Sequence, residues 1–335
     1  MNNRTIDKMR DGGGTFDIGT LEDGAIKQMI NIGERLFIIK EKSVYELVMA
    51  DEIDPNRQNP NLPPTSQRLI VELGIESEMF SRTFLTAVRL FDPEFLHSTI
   101  NTSQTLLLTL EIVQELATME KEIADLIKTE KLETGIYEDR KTKKQHHAIP
   151  SIPNIKTRCK TIFQKADQAL QAQIELIRIF YPDFSKQSYY SNFYEFIQTK
   201  YGEDDIFTRF LKISLPNISL IRNIRNCLDH RRIETEIKDF ELQLNADILS
   251  PTIQVNYNGS QLERGSLTGF LLVMSDNLVW MFENLIAYLC NNAIKTESTF
   301  PVSLVNIPEE QRINKDIKFA YWWPLGEGGY YHQQK

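Results

Sequence analysis

The chain has 335 residues, 41% hydrophobic and 25% charged, which provides enough apolar material for a sizeable core and excludes a disordered or low-complexity protein. Acidic residues number 46 and basic residues 38. The net charge of −8 excludes a protein that attracts nucleic acid with its whole surface, but it allows a local basic patch. The three cysteines, Cys159, Cys227 and Cys290, exclude a disulfide scaffold and lack the spacing of a zinc site.

The N-terminal residues 1–64 are predicted to contain little helix. Gly12–Gly14 predict a flexible start rather than a phosphate-binding loop, because no Gly-Lys-Ser/Thr follows and no strand precedes them. Two short apolar runs on either side of Lys40–Lys42 predict a β-hairpin over 35–49. The four prolines between positions 55 and 64 then predict an extended linker.

From residue 65 onward, the hydrophobic residues recur with the 3.6-residue period of α-helices. The charged and polar segment 134–153, which contains Pro150 and Pro153, predicts an exposed loop between two of these helices. Helices are predicted over 65–73, 79–91, 102–126, 154–181, 189–200, 204–213, 217–232 and 266–293.

Two later segments alternate apolar and polar side chains, as β-strands do. One lies near 236–258 and ends at Asn258-Gly259, which predicts a hairpin inserted between the last two helices. The other, Ile317–Trp322, lies in a C-terminal extension over 296–335. We therefore expect a mainly α fold, a helical bundle over 65–295 with β-hairpin additions, which makes the chain α+β overall.

The sequence predicts a cytoplasmic protein that does not contact a membrane. The polar N-terminus has no apolar core of a signal peptide. The most apolar long stretch, Leu267–Leu289, is interrupted by polar and acidic residues and predicts a buried helix rather than a membrane span.

The helix predicted over 217–232 is the most informative segment of the chain. At about 100° per residue, its apolar side chains fall on one arc and its polar side chains share a stripe on the other side. The apolar arc contains Ile221, Ile224, Cys227 and Leu228. The polar stripe contains Arg222, Arg225, Asn226, Asp229 and His230.

The residue types in this stripe suit phosphate chemistry. Asn226 and His230 lie four positions apart, so the amide can hydrogen-bond and orient the imidazole. The guanidinium of Arg225 suits a phosphate oxygen. A histidine that moves a proton and an arginine that stabilises negative charge suffice to cleave a phosphodiester through its own 2′-hydroxyl, without a metal. Two copies related by a two-fold axis would place two of each around one phosphate.

The segment Arg225-Asn226-Cys227-Leu228-Asp229-His230 resembles the Arg-Asn-x-x-x-His form of the R-x4–6-H motif of HEPN domains. The motif covers six residues, and the helical context extends the resemblance to 65–295. The resemblance implies a HEPN-like helical bundle that forms a homodimer and acts as a metal-independent endoribonuclease. It implies that Arg225 and His230 are catalytic, that Asn226 is the polar residue after the motif arginine, and that the products carry 2′,3′-cyclic phosphate and 5′-hydroxyl ends. Such proteins often serve as toxins or antiviral defence effectors.

Several neighbours are assigned supporting roles. Asp229 is expected to hold an arginine or the histidine, and Arg222, Arg231 and Arg232 are expected to bind the RNA backbone. No metal or cofactor is expected, and a regulatory protein partner is compatible with the sequence. Arg140 and His146 also fit the bare motif, but they lie in a charged tract without an apolar face, which indicates coincidence.

Other interpretations of the same residues remain open. The chain can be a non-catalytic HEPN-like interaction or nucleotide-binding module, or an unrelated helical structural protein. In a purely structural interpretation, Arg225 and Asp229 form an ordinary i,i+4 pair, and His230 is a cation favoured at a helix C-terminus. The aromatic-rich helix over 189–196 predicts packing in a core or dimer interface rather than base stacking.

Overall fold

A computed structural model describes residues 5–12, 17–143, 148–184, 189–295, 302–323 and 330. The fold is α+β, with 52% helix and 19% strand, and its strands form several small antiparallel sheets. The predicted mainly α class is therefore wrong. The prediction failed because short strands that pair over a few residues leave a weak alternation in the sequence.

The helices and strands follow one another along the whole chain. The helices are α1 (Thr5–Asp11), α2 (Ala50–Ile53), α3 (Glu78–Phe80), α4 (Thr86–Leu90), α5 (Thr102–Thr142), α6 (Ile155–Phe180), α7 (Tyr190–Tyr201), α8 (Ile206–Asp229) and α9 (Leu267–Asn291), with a π-helical segment, Ser81–Leu85, between α3 and α4. The strands are β1 (Ile26–Ile32), β2 (Arg35–Lys40), β3 (Val44–Met49), β4 (Thr65–Val71), β5 (Thr235–Lys238), β6 (Glu241–Leu242), β7 (Ile248–Leu249), β8 (Thr252–Tyr257), β9 (Ser260–Ser266), β10 (Ser303–Asn306) and β11 (Phe319–Trp322).

The chain divides into two compact units, of which the first comprises 1–110 and 296–335. Its main sheet has the order β1-β2-β3-β4 with every neighbour antiparallel. The predicted hairpin over 35–49 is confirmed as β2 and β3. The helix predicted over 65–73 is wrong, because Thr65–Val71 pairs along the full length of β3 as strand β4. Pairing with a neighbouring strand overrides a short helical pattern.

The ends of the chain add to the first unit. The N-terminal segment was predicted to be flexible, but Thr5–Asp11 forms α1, whose Arg10 lies 2.7 Å from Asp51 and 3.0 Å from Asp54. Gly13 and Gly14 lie outside the described residues. The strand predicted over 317–322 is confirmed as β11, which pairs with β10.

The second unit, 111–295, contains most of the helical residues. Helices predicted over 154–181, 189–200 and 266–293 are confirmed as α6, α7 and α9. Their inward faces repeat apolar residues at helical spacing and form a common core with α8. Fully or nearly fully buried side chains in this core include Ile162, Phe163, Ile177, Phe193, Phe207, Ile224, Cys227, Leu278 and Phe282.

Two helix boundaries differ from the predictions. The helices predicted over 204–213 and 217–232 are one helix, α8, which continues through Pro216. A proline inside a helix costs about 3 kcal/mol, and the buried turns on both sides offset that cost. Helix α5 also extends to Thr142, into the loop predicted over 134–153, because Tyr137 is buried there and donates a 2.9 Å hydrogen bond to the carbonyl of Ala246.

The inserted β-segment is larger than the predicted hairpin. Strands β5, β8 and β9 form a three-stranded antiparallel sheet, and β6 and β7 form a separate two-residue ribbon. Strands β8 and β9 meet at Asn258 and Gly259, whose φ angles of 47° and 80° suit a tight hairpin turn, as the Asn-Gly pair predicts.

Helix α9 is the one described helix that is long and apolar enough to cross a membrane. However, 61% of its most apolar 18-residue window is buried inside the fold, as in the core helix of a soluble protein. Its N-terminus is capped by Ser266, whose hydroxyl oxygen accepts a hydrogen bond from the backbone N–H of Gly269.

Candidate functional site

The candidate site lies on the last three turns of α8. Asp205 begins this helix by accepting hydrogen bonds from the backbone N–H groups of Phe207 and Thr208. As predicted, Ile224 and Cys227 are fully buried on one face of the helix. The polar stripe faces outward: Arg222, Arg225, Asn226 and Asp229 are half-buried, and His230, Arg231 and Arg232 are exposed.

The polar stripe runs between α6 on one side and the β8–β9 hairpin on the other. On the α6 side, Asp229 accepts a 3.0 Å hydrogen bond from Gln164. On the hairpin side, the buried Asn223 donates to the hydroxyl of Ser260 at 2.9 Å and to the carbonyl of Tyr257 at 3.3 Å. The stripe is therefore fixed in position by contacts on both flanks.

The guanidinium of Arg225 is held by two carboxylates. Its Nε lies 3.0 Å from Asp229 Oδ2 and 3.8 Å from Asp167 Oδ2 on α6. Both contacts are ion pairs without hydrogen-bond geometry, since the buried Nε has no hydrogen-bond acceptor in the described part of the chain. Its Nη1 donates a 3.1 Å hydrogen bond to Asn226 Oδ1. Within the described residues Nη2 has no hydrogen-bond partner, and the side chain remains 35% exposed.

Asp229 connects α8 to two further residues of α6. Its Oδ1 lies 3.1 Å from Lys160 Nζ and accepts the hydrogen bond from Gln164. Burial by itself would raise the pKa of this carboxyl, but Lys160, Arg225 and Gln164 together hold the pKa below its usual value. Asp229 is therefore ionised at neutral pH, and its negative charge faces the guanidinium of Arg225.

Asn226 and His230 are not bonded to each other through their side chains, contrary to the sequence-based expectation. The Asn226 side-chain oxygen accepts from Arg225 instead. The backbone N–H of His230 donates to the carbonyl of Asn226 at 3.1 Å, which closes the last turn of α8. The imidazole is exposed and makes no hydrogen bond to the described residues.

The chain reverses direction directly after His230. Arg231 has a φ of 51°, and the N–H of Arg232 donates to the carbonyl of Cys227 at 2.9 Å. This is a Schellman-type helix end, in which the left-handed residue is usually glycine. An arginine at this position costs about 1 kcal/mol of backbone energy and places an exposed cation beside His230.

Two of the predicted RNA-binding arginines contact tyrosine rings. The guanidinium carbon of Arg222 lies 3.8 Å from the ring centroid of Tyr189, and that of Arg232 lies 5.1 Å from the ring centroid of Tyr257. The remaining arginine of the group, Arg231, is exposed at the helix end.

The contributions of α6 and of the hairpin to the site were not predicted from the sequence. Lys160, Gln164 and Asp167 lie about sixty residues before the motif, and nothing local marks them as partners of Arg225 and Asp229. The contact of Asn223 could have been predicted from the sequence, because an asparagine on the buried side of a helix needs a hydrogen-bond partner.

Within the described ranges, no group of three or more His, Cys, Asp or Glu side chains is placed to hold a metal ion. His146 and His147 lie outside those ranges. Comparisons with protein-family models, with curated proteins and with solved structures found no match.

Proposed function

We propose that this protein is a cytoplasmic, metal-independent endoribonuclease of HEPN type, with Arg225, Asn226 and His230 as its active residues. One observation carries the proposal: Asp229 and Asp167 face the Nε of Arg225, its Nη2 has no hydrogen-bond partner among the described residues, and the exposed His230 ends the same helix five residues later. A cation that is held in place and a solvent-exposed imidazole are the groups that cleavage at an internal 2′-hydroxyl requires.

The reaction needs no group beyond the RNA and these side chains. The 2′-oxygen forms a bond to phosphorus while the bond between phosphorus and the 5′-oxygen breaks, leaving a 2′,3′-cyclic phosphate and a 5′-hydroxyl. One imidazole accepts the 2′-hydroxyl proton, and a second protonates the departing 5′-oxygen. Nη2 of Arg225 binds a non-bridging oxygen, whose negative charge grows in the transition state.

The need for two imidazoles supports a homodimer. His230 occurs once on each chain, so a site with an acid and a base takes one histidine from each protomer across a two-fold axis. Arg222, Arg231 and Arg232 would then bind the RNA backbone around the scissile phosphate. Basic side chains outnumber acidic ones at this end of α8, although the whole chain has a net charge of −8. A role as a toxin or antiviral defence effector under a regulatory partner fits such an activity.

The first prediction concerns cleavage in the presence of a chelator. Purified protein should cut RNA in EDTA and leave 2′,3′-cyclic phosphate and 5′-hydroxyl ends. His230→Ala and Arg225→Ala should each lower the rate by about 10²- to 10⁴-fold, because each removes a group that acts in the transition state. Product ends are read by their sensitivity to phosphatase and kinase treatment.

Matched controls exist elsewhere in the chain. His97 is an exposed histidine whose ring hydrogen-bonds its neighbour Thr99, and Arg209 is an exposed arginine in the first turn of α8. His97→Ala and Arg209→Ala should cleave at the wild-type rate. Cleavage that survives His230→Ala, or that requires a divalent metal, would refute the proposed mechanism.

A second candidate function is favoured by the ion pairs of Arg225. Because Asp229 and Asp167 already neutralise this guanidinium, the site also suits a module that binds RNA or a nucleotide without cutting it. In that case, His230→Ala would leave binding intact, and the wild-type protein would produce no cyclic-phosphate ends.

A further inference from the structure

We propose that Tyr189 and Tyr257, whose rings are held by arginines that flank the motif, are base-binding residues, so that the site takes an unpaired RNA segment. The inference rests on the proposed function in taking RNA as the ligand. It goes beyond that function by naming the residues that hold the bases and the strand state that they require.

Tyr189 is more exposed than the aromatic residues that follow it in the first turn of α7. Tyr190 and Phe193 are buried, as the sequence-based interpretation of core packing expects, but Tyr189 precedes α7 and is 46% exposed. Arg222 stacks on its ring at 3.8 Å. An exposed tyrosine held against an arginine of the polar stripe contributes little to the core and presents an oriented aromatic surface.

Tyr257 is held beside α8 by the β8–β9 hairpin. It is the last residue of β8, and its carbonyl accepts a hydrogen bond from the buried Asn223 at 3.3 Å, which fixes the hairpin end against α8. Its half-exposed ring lies 5.1 Å from the guanidinium carbon of Arg232. The ring is therefore held against the guanidinium of Arg232.

The arginines of the two pairs bracket the motif in the sequence. Arg222 is one turn before Arg225, and Arg232 is two residues after His230. Between Arg222 and His230 the helix rises about 12 Å. A strand that follows the stripe would meet both rings as well as Arg225 and His230, with arginines available to its phosphates.

Alternating aromatic and cationic side chains suit single-stranded nucleic acid. Each base of an unpaired strand has a free π-face that stacks on tyrosine or on an arginine plane, whereas bases in a duplex are already stacked on each other. Stacking of this kind tolerates any base, so we expect little sequence preference from these two residues.

The experiment measures binding without cleavage. A short, fluorescently labelled oligonucleotide of 2′-O-methyl RNA has its nucleophile blocked, and its anisotropy reports binding by the full chain. Tyr189→Leu and Tyr257→Leu should each weaken binding roughly 5- to 100-fold, whereas Tyr189→Phe and Tyr257→Phe should bind like wild type. Because the rings do not neutralise phosphates, the salt dependence of binding should stay the same in the leucine variants.

A matched control lies at the far end of α7. Tyr201 is 37% exposed and has Lys200 over its ring, but it is outside the stripe. Tyr201→Leu should bind the oligonucleotide like wild type. A duplex of the same sequence should bind more weakly than the single strand. Its affinity should be the same for Tyr189→Leu and for Tyr189→Phe.

Three results would overturn the inference: leucine variants that bind as tightly as the phenylalanine variants, equal losses for duplex and single strand, or no binding of the oligonucleotide by wild type. Failure of the nuclease proposal is separable. If wild type binds in a ring-dependent way but cuts no RNA, the inference stands and the catalytic assignment fails.

Discussion

Asp229 controls the charge environment of the motif arginine at the scale of single residues. Its carboxylate faces Arg225 on its own helix and Lys160 on α6, so that removing the charge leaves both cations without this partner. Because its pKa is held below the usual value in the folded chain, the stabilisation is complete above the unfolded-state pKa and is lost as pH falls through the folded-state pKa.

The variant Asp229→Asn tests this assignment, since it keeps the shape of the side chain and removes its charge. We expect a loss of a few tenths to about 1 kcal/mol in the free energy of unfolding at neutral pH, the range of partly exposed ion pairs. The loss should shrink below about pH 4, where the wild-type carboxyl also becomes protonated. Urea unfolding at several pH values measures both quantities.

The control is Asp139→Asn, which removes a carboxylate from an exposed i,i+4 pair with Lys143. It should change the free energy of unfolding by less than Asp229→Asn does, because an exposed pair contributes little. A difference between Asp229→Asn and wild type that stays constant with pH would show that the charge of Asp229 does not stabilise the folded state.

The predictability of the site depends on distance along the chain. Arg225, Asn226 and His230 could be grouped as candidates from the sequence because they lie within six residues on one helix, where spacing fixes the shared face. Asp167, Lys160 and Gln164 were not, because their approach depends on how α6 packs against α8. The orientation of Asn226 was also mispredicted, since Arg225 competes with His230 for its side-chain oxygen.

At the scale of elements, long helices were predictable and short or unusual ones were not. The apolar periods of α6, α7 and α9 located these helices to within a few residues. Pro216 suggested a break in α8 because a proline is a strong local signal, yet the tertiary packing of the flanking turns kept the helix continuous. β4 was assigned as helix because its pairing partner, β3, lies across a proline-rich loop.

The side-chain amide of Asn223 hydrogen-bonds α8 to the β8–β9 hairpin. Asn223 is 6% exposed and donates to Ser260 Oγ at 2.9 Å, with longer contacts to the carbonyls of Tyr257 and Asn258. The variant Asn223→Ala leaves the buried hydroxyl of Ser260 without this donor. We expect it to lower the free energy of unfolding by about 1–3 kcal/mol and to speed hydrogen exchange in β8 and β9.

The exposed Asn256 of the same hairpin offers the matched control, since Asn256→Ala removes an amide of equal size from a solvent-facing position. It should leave both the stability and the exchange rates close to wild type. Equal exchange rates in Asn223→Ala and Asn256→Ala would show that the hairpin is fixed to α8 by other contacts.

At the scale of the whole molecule, the helices and the small sheet of the second unit contribute differently to the candidate site. The predicted helical bundle with β-hairpin additions contained too few residues in strands, because pairs such as β6–β7 involve only two residues from each strand. In the second unit, the helices bury the apolar arc of α8 while the small sheet holds the hairpin beside its polar stripe. The proposed active residues therefore lie where a helical core meets a β-segment.

An active site built from two protomers can be distinguished from a site on one chain by the cleavage rate of mixed dimers. Adding excess His230→Ala protein to wild type should form mixed dimers that contain one imidazole instead of two. The cleavage rate of a fixed amount of wild type should therefore fall as the variant is added, after time for subunit exchange. RNA must be in large excess, so that the variant does not act by sequestering substrate.

The double variant Tyr189→Leu, Tyr257→Leu in the His230→Ala background serves as the control for substrate sequestration. It retains the dimer surface outside the stripe but binds RNA weakly if the base-binding assignment holds. Equal suppression by this variant and by His230→Ala alone would assign the effect to mixed dimers. Undiminished cleavage in both mixtures, with subunit exchange verified by sedimentation, would place the complete reaction on one chain and exclude the two-histidine mechanism.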